Sequence, residues 1–373
     1  MIQRVLVLWF AFTSAAYSQS KVGTTGAQFL ELPLSARSAG MGDIGTVLMD
    51  GHSYHTNPAT LGFFQPGRVS VQLDPLVSGY YGTEVHFSSM SAASKIRDGK
   101  TGGPTIGFGV RIFQLSSGPM VERTYNRGVD YPDEGIFGTG RTFAWNDTKA
   151  GFAVGLGWSG KIDFGVGAGL NYIRENVHDY HAETWTSDMG AHLGFAFQSD
   201  DGAAFGPPRI IIGASLCNVG PDIKFIEKEA PLPLTGRVGV GCELTWRRDG
   251  RSLLQLFPAV QYERHYSHSH FNTITRYSHV DTWKQGIEIR LREIVSARVG
   301  YISPEGYEKS QWTYGFGLST VGLHGAPPAE TSDGGGFFSS VSEHVDVQLS
   351  FAHHSSIIDE WDGTNYYGIE LLF

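Results

Sequence analysis

Four histidines crowd one stretch of the sequence, His265, His268, His270 and His279 in HYSHSHFNTITRYSH. On an extended strand, His268 and His270 would share a face, and imidazole is a common metal ligand. No carboxylate or cysteine completes a set at a recognised zinc spacing, so the stretch reads as a polar surface loop. His178 with His181, and His353 with His354, read the same way. Serine, histidine and aspartate are plentiful, yet no Gly-x-Ser-x-Gly elbow displays a nucleophile. Asp130, Asp133 and Glu134 could offer oxygens to calcium, but a single acidic loop is more often just solvated. Cys217 and Cys242, the only cysteines, fall on neighbouring expected strands and on opposite faces. One residue of register would bring them together, so a disulfide between them stays open. No catalytic residue, metal ligand or cofactor is assigned, and the chain is read as a non-enzyme.

The elements that must carry any site are short alternating strands. Ile162, Phe164, Val166, Ala168, Leu170 and Tyr172 form one face, against Asp163, Gly165, Gly167, Gly169 and Asn171. Phe152, Val154, Leu156 and Trp158 oppose Gly151, Ala153, Gly155 and Gly157 in the same way. Period two puts these sets on opposite sides of a sheet. A secreted sandwich also alternates, but its outer face is usually rich in charge, whereas this one is mostly glycine and small polar residues. Glycine makes up 49 of 373 residues and charged residues only 17%, against typical values of ~7% and ~25%. About fourteen strands can be counted between residues 67 and 373, an even number as bacterial barrels require. The fold class expected is all-β, a transmembrane antiparallel barrel, with aromatics such as Trp158, Tyr172, Trp246, Trp283 and Trp312 at the membrane interfaces. With both ends in the periplasm, the outward connections fall at 116–146, 175–185, 219–234, 265–282, 304–310 and 354–363. The long connection 321–343 would then lie on the periplasmic side, as a functional loop or over a missed strand.

Residues 1–18 read as a signal peptide. Arg4 supplies the charge, Val5 to Phe12 the apolar run, and Ala16-Tyr17-Ser18 the cleavage site before Gln19. The net charge of −9, with no basic cluster, argues against a nucleic-acid partner.

Between signal and strands lies GAQFLELPLSARSAGMGDIGTVLMDGHSYHTNPATLG, Gly26 to Gly62. Its small residues permit close packing, and Asn57-Pro58 reads as a turn. The expected organisation is a hatch or plug over 19–66 and a barrel over 67–373, the hatch lying inside the barrel near its periplasmic end. Asn57 is expected to hydrogen-bond backbone that the turn leaves unpaired.

GAQFLELPLSARSAGMG followed by NPATL resembles the N-terminal signature of the PorV/PorQ family of FadL-like outer-membrane barrels. Phe29, Leu30, Ala36, Arg37, Gly40, Met41, Gly42, Asn57, Pro58, Ala59 and Leu61 fit that pattern. Thr60 stands where glycine is usual, and Asp50-Gly51 where paired acids are common. Ser215 to Leu244 resembles the family's middle segment. The resemblance implies a partner-binding barrel of type IX secretion. Such a barrel works with other outer-membrane secretion proteins, handing on secreted cargo or plugging a translocon. The alternative is a FadL-like channel for a hydrophobic ligand. The charged lumen-facing positions Arg237, Glu243, Glu288, Arg290 and Arg292 favour the first. The chain ends on YYGIELLF, where Gly368, Leu371 and Phe373 resemble the signal read by the barrel-assembly machinery. The expected location is the bacterial outer membrane, with the lipid bilayer as a partner.

Overall fold

The computed structural model describes residues 26–64, 69–80, 83–97, 103–125, 136–197, 206–225, 228–248, 251–271, 274–303, 310–323, 345–355 and 363–372. The signal peptide, Asp130–Glu134, most of 321–343 and Phe373 lie outside them. Fourteen strands close into one antiparallel barrel. Its first part comprises β1 (Val69–Tyr80), β2 (Thr83–Arg97) and β3 (Thr105–Ser117), then, after the hairpin β4 (Met120–Tyr125) and β5 (Ile136–Phe143), β6 (Trp145–Trp158), β7 (Ile162–Val177), β8 (Tyr180–Ala196) and β9 (Arg209–Val219). A second hairpin, β10 (Ile223–Phe225) and β11 (Lys228–Ala230), precedes β12 (Leu234–Arg248), β13 (Arg251–Phe271), β14 (Ile274–Leu291), β15 (Val295–Ile302), β16 (Gln311–Ser319), β17 (Asp346–His354) and β18 (Thr364–Leu372). The first and last barrel strands pair, Ser70 opposite Leu372, so no edge remains exposed.

Alternation sorts the side chains as period two requires. Phe152, Ile162, Phe164, Val166, Leu170, Val238, Trp312, Tyr314 and Phe316 are exposed on the outer wall. Asn171, Thr186, Asp188, Gln261, Glu288 and Thr313 are buried on the inner one. An apolar outside around a polar inside is the inverse of a soluble protein and fits a bilayer. Aromatic pairs mark both rims. Trp158 stacks on Phe164 at the short-turn end. Tyr172–Trp185, Tyr262–Trp283 and Tyr301–Trp312 lie toward the other.

Two expected outer connections need correction. β7 and β8 run through much of 175–185 and meet in a tight turn, with Val177 opposite Tyr180. The histidine-rich stretch is not a loop either, since β13 and β14 pair out to Phe271 opposite Ile274. Alternation without apolar residues masked these extensions, because such strands rise above the lipid and need no apolar face. The segments 116–146 and 219–234 do stand between barrel strands, and each folds back as its own hairpin, β4–β5 and β10–β11. Cys217 and Cys242 are both free. Cys217 lies opposite Thr235 and Cys242 opposite Ile210, seven positions apart along the same strand pair.

Candidate functional site

Residues 26–64 occupy the lumen. They form a 3-10 turn at Gln28–Glu31, the short helix α1 at Ala36–Gly40, and 3-10 turns at Ser53–His55 and Pro58–Phe63. Ser35 caps α1, its hydroxyl accepting from the Ser38 amide at 3.1 Å. Asn57 caps the last turn by accepting from Ala59 N at 3.2 Å, and Pro58 occupies its first position. The Asn57 amide also donates to Thr46 O at 2.9 Å and to Ala191 O on β8 at 3.0 Å. One side chain thus closes the turn and ties it to the wall.

The segment spans the barrel rather than lying only near its short-turn end. Gly26 N donates to Pro231 O, beside the β10–β11 hairpin at the long-loop end, at 2.9 Å. Gly62 lies against the backbone of Leu156 and Gly157, where β6 nears its short turn. Wall glycines make room for it. A methyl group at Gly107, Gly157 or Gly167 would overlap the backbone of Leu61, Gly62 or Pro58. Further round the wall, one at Gly213 on β9, Gly286 on β14 or Gly300 on β15 would overlap Thr46, Met41 or Gly42. Gly42 has φ +73°, a left-handed conformation that costs other residues free energy. The glycine-rich inner face is therefore a cradle for two bends of the hatch.

Beneath and beside those bends lie three buried charge networks. Arg37 bridges Asp50 at 2.7 Å and Glu288 at 2.7 Å, and Glu288 also takes Arg298 at 2.7 Å and Arg290 at 2.8 Å. Lys284 joins Asp43 of the hatch at 2.8 Å to Glu263 of β13 at 2.7 Å. Glu263 also takes Arg237 at 2.5 Å and His265 at 2.7 Å. The third network joins Arg111, Asp188, Asn171 and Lys149, and Arg111 also donates to the carbonyl of Tyr54 at 3.3 Å. Polar side chains add clamps. Gln261 Oε1 accepts from Gly45 N, Thr46 N and the Thr46 hydroxyl, and Thr313 accepts from Gly42 N at 2.9 Å. Burial opposes ionisation of Asp50, but the Arg37 guanidinium outweighs it and holds the carboxyl below its usual range. Burial holds His55 well below the usual imidazole range.

At the long-loop end the lumen changes character. Phe29 and Leu30 pack with Phe87, Phe113, Ile173, Ile223 and Leu232. Phe29 and Phe87 lie 5.3 Å and 5.7 Å from Phe113, ring to ring. Where this apolar layer meets the charged one, a cavity of about 20 Å³ lies between Leu30 and Phe113 on one side and His55, Lys149 and Arg237 on the other. That is room for about one water molecule.

The residues singled out by sequence thus fall into separate places. Phe29 and Leu30 belong to the apolar layer, and Arg37 to the Glu288 network. Gly40 lies against Gly315, while Met41 and Gly42 rest on Gly286 and Gly300. Asn57, Pro58 and Ala59 form the bend over Gly167 and Gly190. Gly368 and Leu371 lie in β18, opposite Ser350 and Val347. His353 Nδ1 donates to Asn365 Oδ1 at 2.8 Å, and His354 Nε2 to Ala39 O at 2.9 Å. Among the described residues, no group of three or more histidine, cysteine or acidic side chains is placed to hold a metal. Sequence reasoning missed Glu263, Lys284, Asp188 and Arg111 as anchors. Their signal was available, a charge at a lumen-facing strand position.

No family model and no curated protein sequence matches the chain. Among solved structures, the toluene transporter TbuX of Ralstonia pickettii is similar at 12% identity, covering 91% of this chain and 97% of that one, with a TM-score of 0.47. The toluene transporter TodX of Pseudomonas putida gives 13%, 91%, 96% and 0.45. A FadL homologue of Pseudomonas aeruginosa gives 10%, 91%, 98% and 0.41. With its closed wall, apolar exterior and aromatic rims, the chain is an outer-membrane β-barrel, and its lumen is filled by its own N-terminal segment.

Proposed function

We propose that this barrel admits hydrophobic small molecules at its long-loop end and is sealed beneath them by residues 26–64 acting as a hatch. The layering of the lumen carries this reading. An apolar layer of Phe29, Leu30, Phe87, Phe113, Ile173, Ile223 and Leu232 lies under the outer hairpin, and the ion-paired layer lies below it. An apolar ligand would take the place of Phe29 and Leu30, gaining about 25 cal/mol for each Å² it buries. Arg237, which argues from sequence for a polar conduit, is paired with Glu263 on the wall, and Glu288 with Arg37 of the hatch, so neither counts against apolar cargo. Passage requires the hatch to shift, because its backbone at Leu61, Gly62, Met41 and Gly42 lies directly against the wall at Gly107, Gly157, Gly286 and Gly300.

A second reading, the partner-binding barrel of the PorV/PorQ kind, draws support from the tightness of the seal. A hatch tied to β8, β13, β14 and β16 suits a static platform whose rim binds secretion partners.

Titration of the purified barrel with an environment-sensitive naphthylamine dye separates the two. Saturable binding is expected, and Phe29→Asp should weaken it about tenfold or more by placing a charge among apolar side chains. The heat-modifiable mobility of the barrel should survive that change. Non-saturable dye partitioning, equal in both proteins, would sink the channel reading. Secreted proteins crosslinking to the rim in intact cells would then favour the second.

A further inference from the structure

On the lipid-facing wall, at the short-turn end, Trp246, Leu253, Leu254, Leu291, Ile294 and Val295 line an open concavity of about 480 Å³ with Arg292 at its edge. The strand register places Trp246, Leu254, Leu291 and Val295 side by side on β12, β13, β14 and β15. The apolar row is continuous with the outer wall, so acyl chains reach it directly.

The turn between β14 and β15 sets the charge at this edge. Its two central residues, Arg292 and Glu293, both take left-handed backbone, at φ 51° and 58°. Left-handed positions of this kind favour Asn and Gly, and a long side chain at positive φ is uncommon. Such conformations persist where surrounding contacts fix them and are worth a functional question. Here Arg292 N donates to Leu253 O at 3.0 Å, and Glu293 accepts from the Gln255 side chain at 3.1 Å. Gln255 lies opposite Thr245, a buried inner-wall residue. The turn therefore ties the Glu293 carboxylate to Gln255, while Arg292, which alternation alone would turn to the lumen, is exposed at the edge of the outer concavity. Arg247 and Arg248, also exposed, end β12 at the same level, after a register shift at Trp246. Bulges of this kind re-aim side chains.

We propose that this concavity binds one phospholipid with a net anionic headgroup, of the phosphatidylglycerol type, from the leaflet at the short-turn end. Its acyl chains lie along Trp246, Leu254, Leu291 and Val295. Its phosphate meets Arg292, whose planar fork matches phosphate oxygens in pairs.

The delipidated barrel in detergent is mixed with dioleoyl phosphatidylglycerol or dioleoyl phosphatidylethanolamine, and retained lipid is counted by native mass spectrometry. The anionic lipid should be retained about fivefold more strongly, the worth of one arginine near a charged membrane surface. Arg292→Asn should bring the two lipids to parity. Asparagine tolerates left-handed backbone, so the turn is kept, and unchanged heat-modifiable mobility verifies the fold. Arg292→Lys should keep most of the preference. Parity in the unmodified protein, or an undiminished preference in Arg292→Asn, overturns the proposal. So does displacement of the lipid by millimolar inorganic phosphate, which would mean an anion site that ignores the acyl chains.

Discussion

Replacing Glu288 by glutamine is expected to release the hatch and to cost about 3–5 kcal/mol of unfolding stability, the range for removing one partner of a buried ion pair. Glu288 is 1% exposed and receives Arg37, Arg290 and Arg298. Arg290 is one-third exposed, so water screens its share. Arg37 and Arg298 are far less exposed and would be left facing each other across a neutral amide. Two like charges in that setting repel by more than any surface pair does, because little solvent lies between them. Arg37 is a hatch residue, so the cheapest relief is for the hatch to leave. Planar-bilayer recording should show a nearly silent unmodified barrel and frequent openings in Glu288→Gln. Adding Arg37→Gln should return at least ~1 kcal/mol, since neighbours in one network couple by about that much. An equally silent Glu288→Gln barrel with an unshifted urea midpoint would show that this network does not hold the hatch.

Gly167→Val is expected to give a well-assembled barrel with an unseated hatch and a large, persistent conductance. A Cβ at position 167 would overlap the backbone of Pro58 and Ala59. Backbone cannot rotate away as a flexible side chain can, and overpacking of this kind costs about 1–3 kcal/mol or more. The wall itself accepts valine, a strong strand former. Gly236→Ala is the matched control, for its new methyl group would stand 3.7 Å from Tyr266 and 3.9 Å from Leu216, ordinary contact distances. If both variants remain as silent as the parent, the glycine lane on β7 is not what seats the hatch.

The wall was legible in the sequence because membrane strands obey one rule along their whole length. Ile162 to Tyr172 alternate as a lipid-facing set against a glycine set, and the strand ends fall near where that pattern fails. The sequence did not disclose which wall residue meets which hatch residue. Glu288 reads as a polar lumen position, yet its partner Arg37 is 251 residues away, and only closure brings them together. The upper reaches of β13 and β14 escaped notice for another reason. Above the lipid the outer face no longer needs to be apolar, so period two leaves no trace in HYSHSHFNTITRYSH. How far the hatch reaches along the barrel was not legible, because short 3-10 turns joined by extended residues carry no periodicity at all.

The described hatch begins at one mouth of the barrel and finishes at the other, and this constrains the order of assembly. A rope through a pipe cannot be laid in from the side once the pipe is welded. Either residues 26–64 slide lengthwise through a finished cylinder, dragging Arg37, Asp43 and Asp50 past its charged lining, or the wall curls round them while the seam between β1 and β18 is open. That seam joins the two extremes of the wall, Ser70 to Leu372, and contacts so distant in sequence form slowly. The delay leaves the early strands time to gather on the bend at Asn57–Phe63, which touches β3, β6, β7 and β8. The segment that later blocks the lumen can thus serve first as the mandrel on which the cylinder is formed.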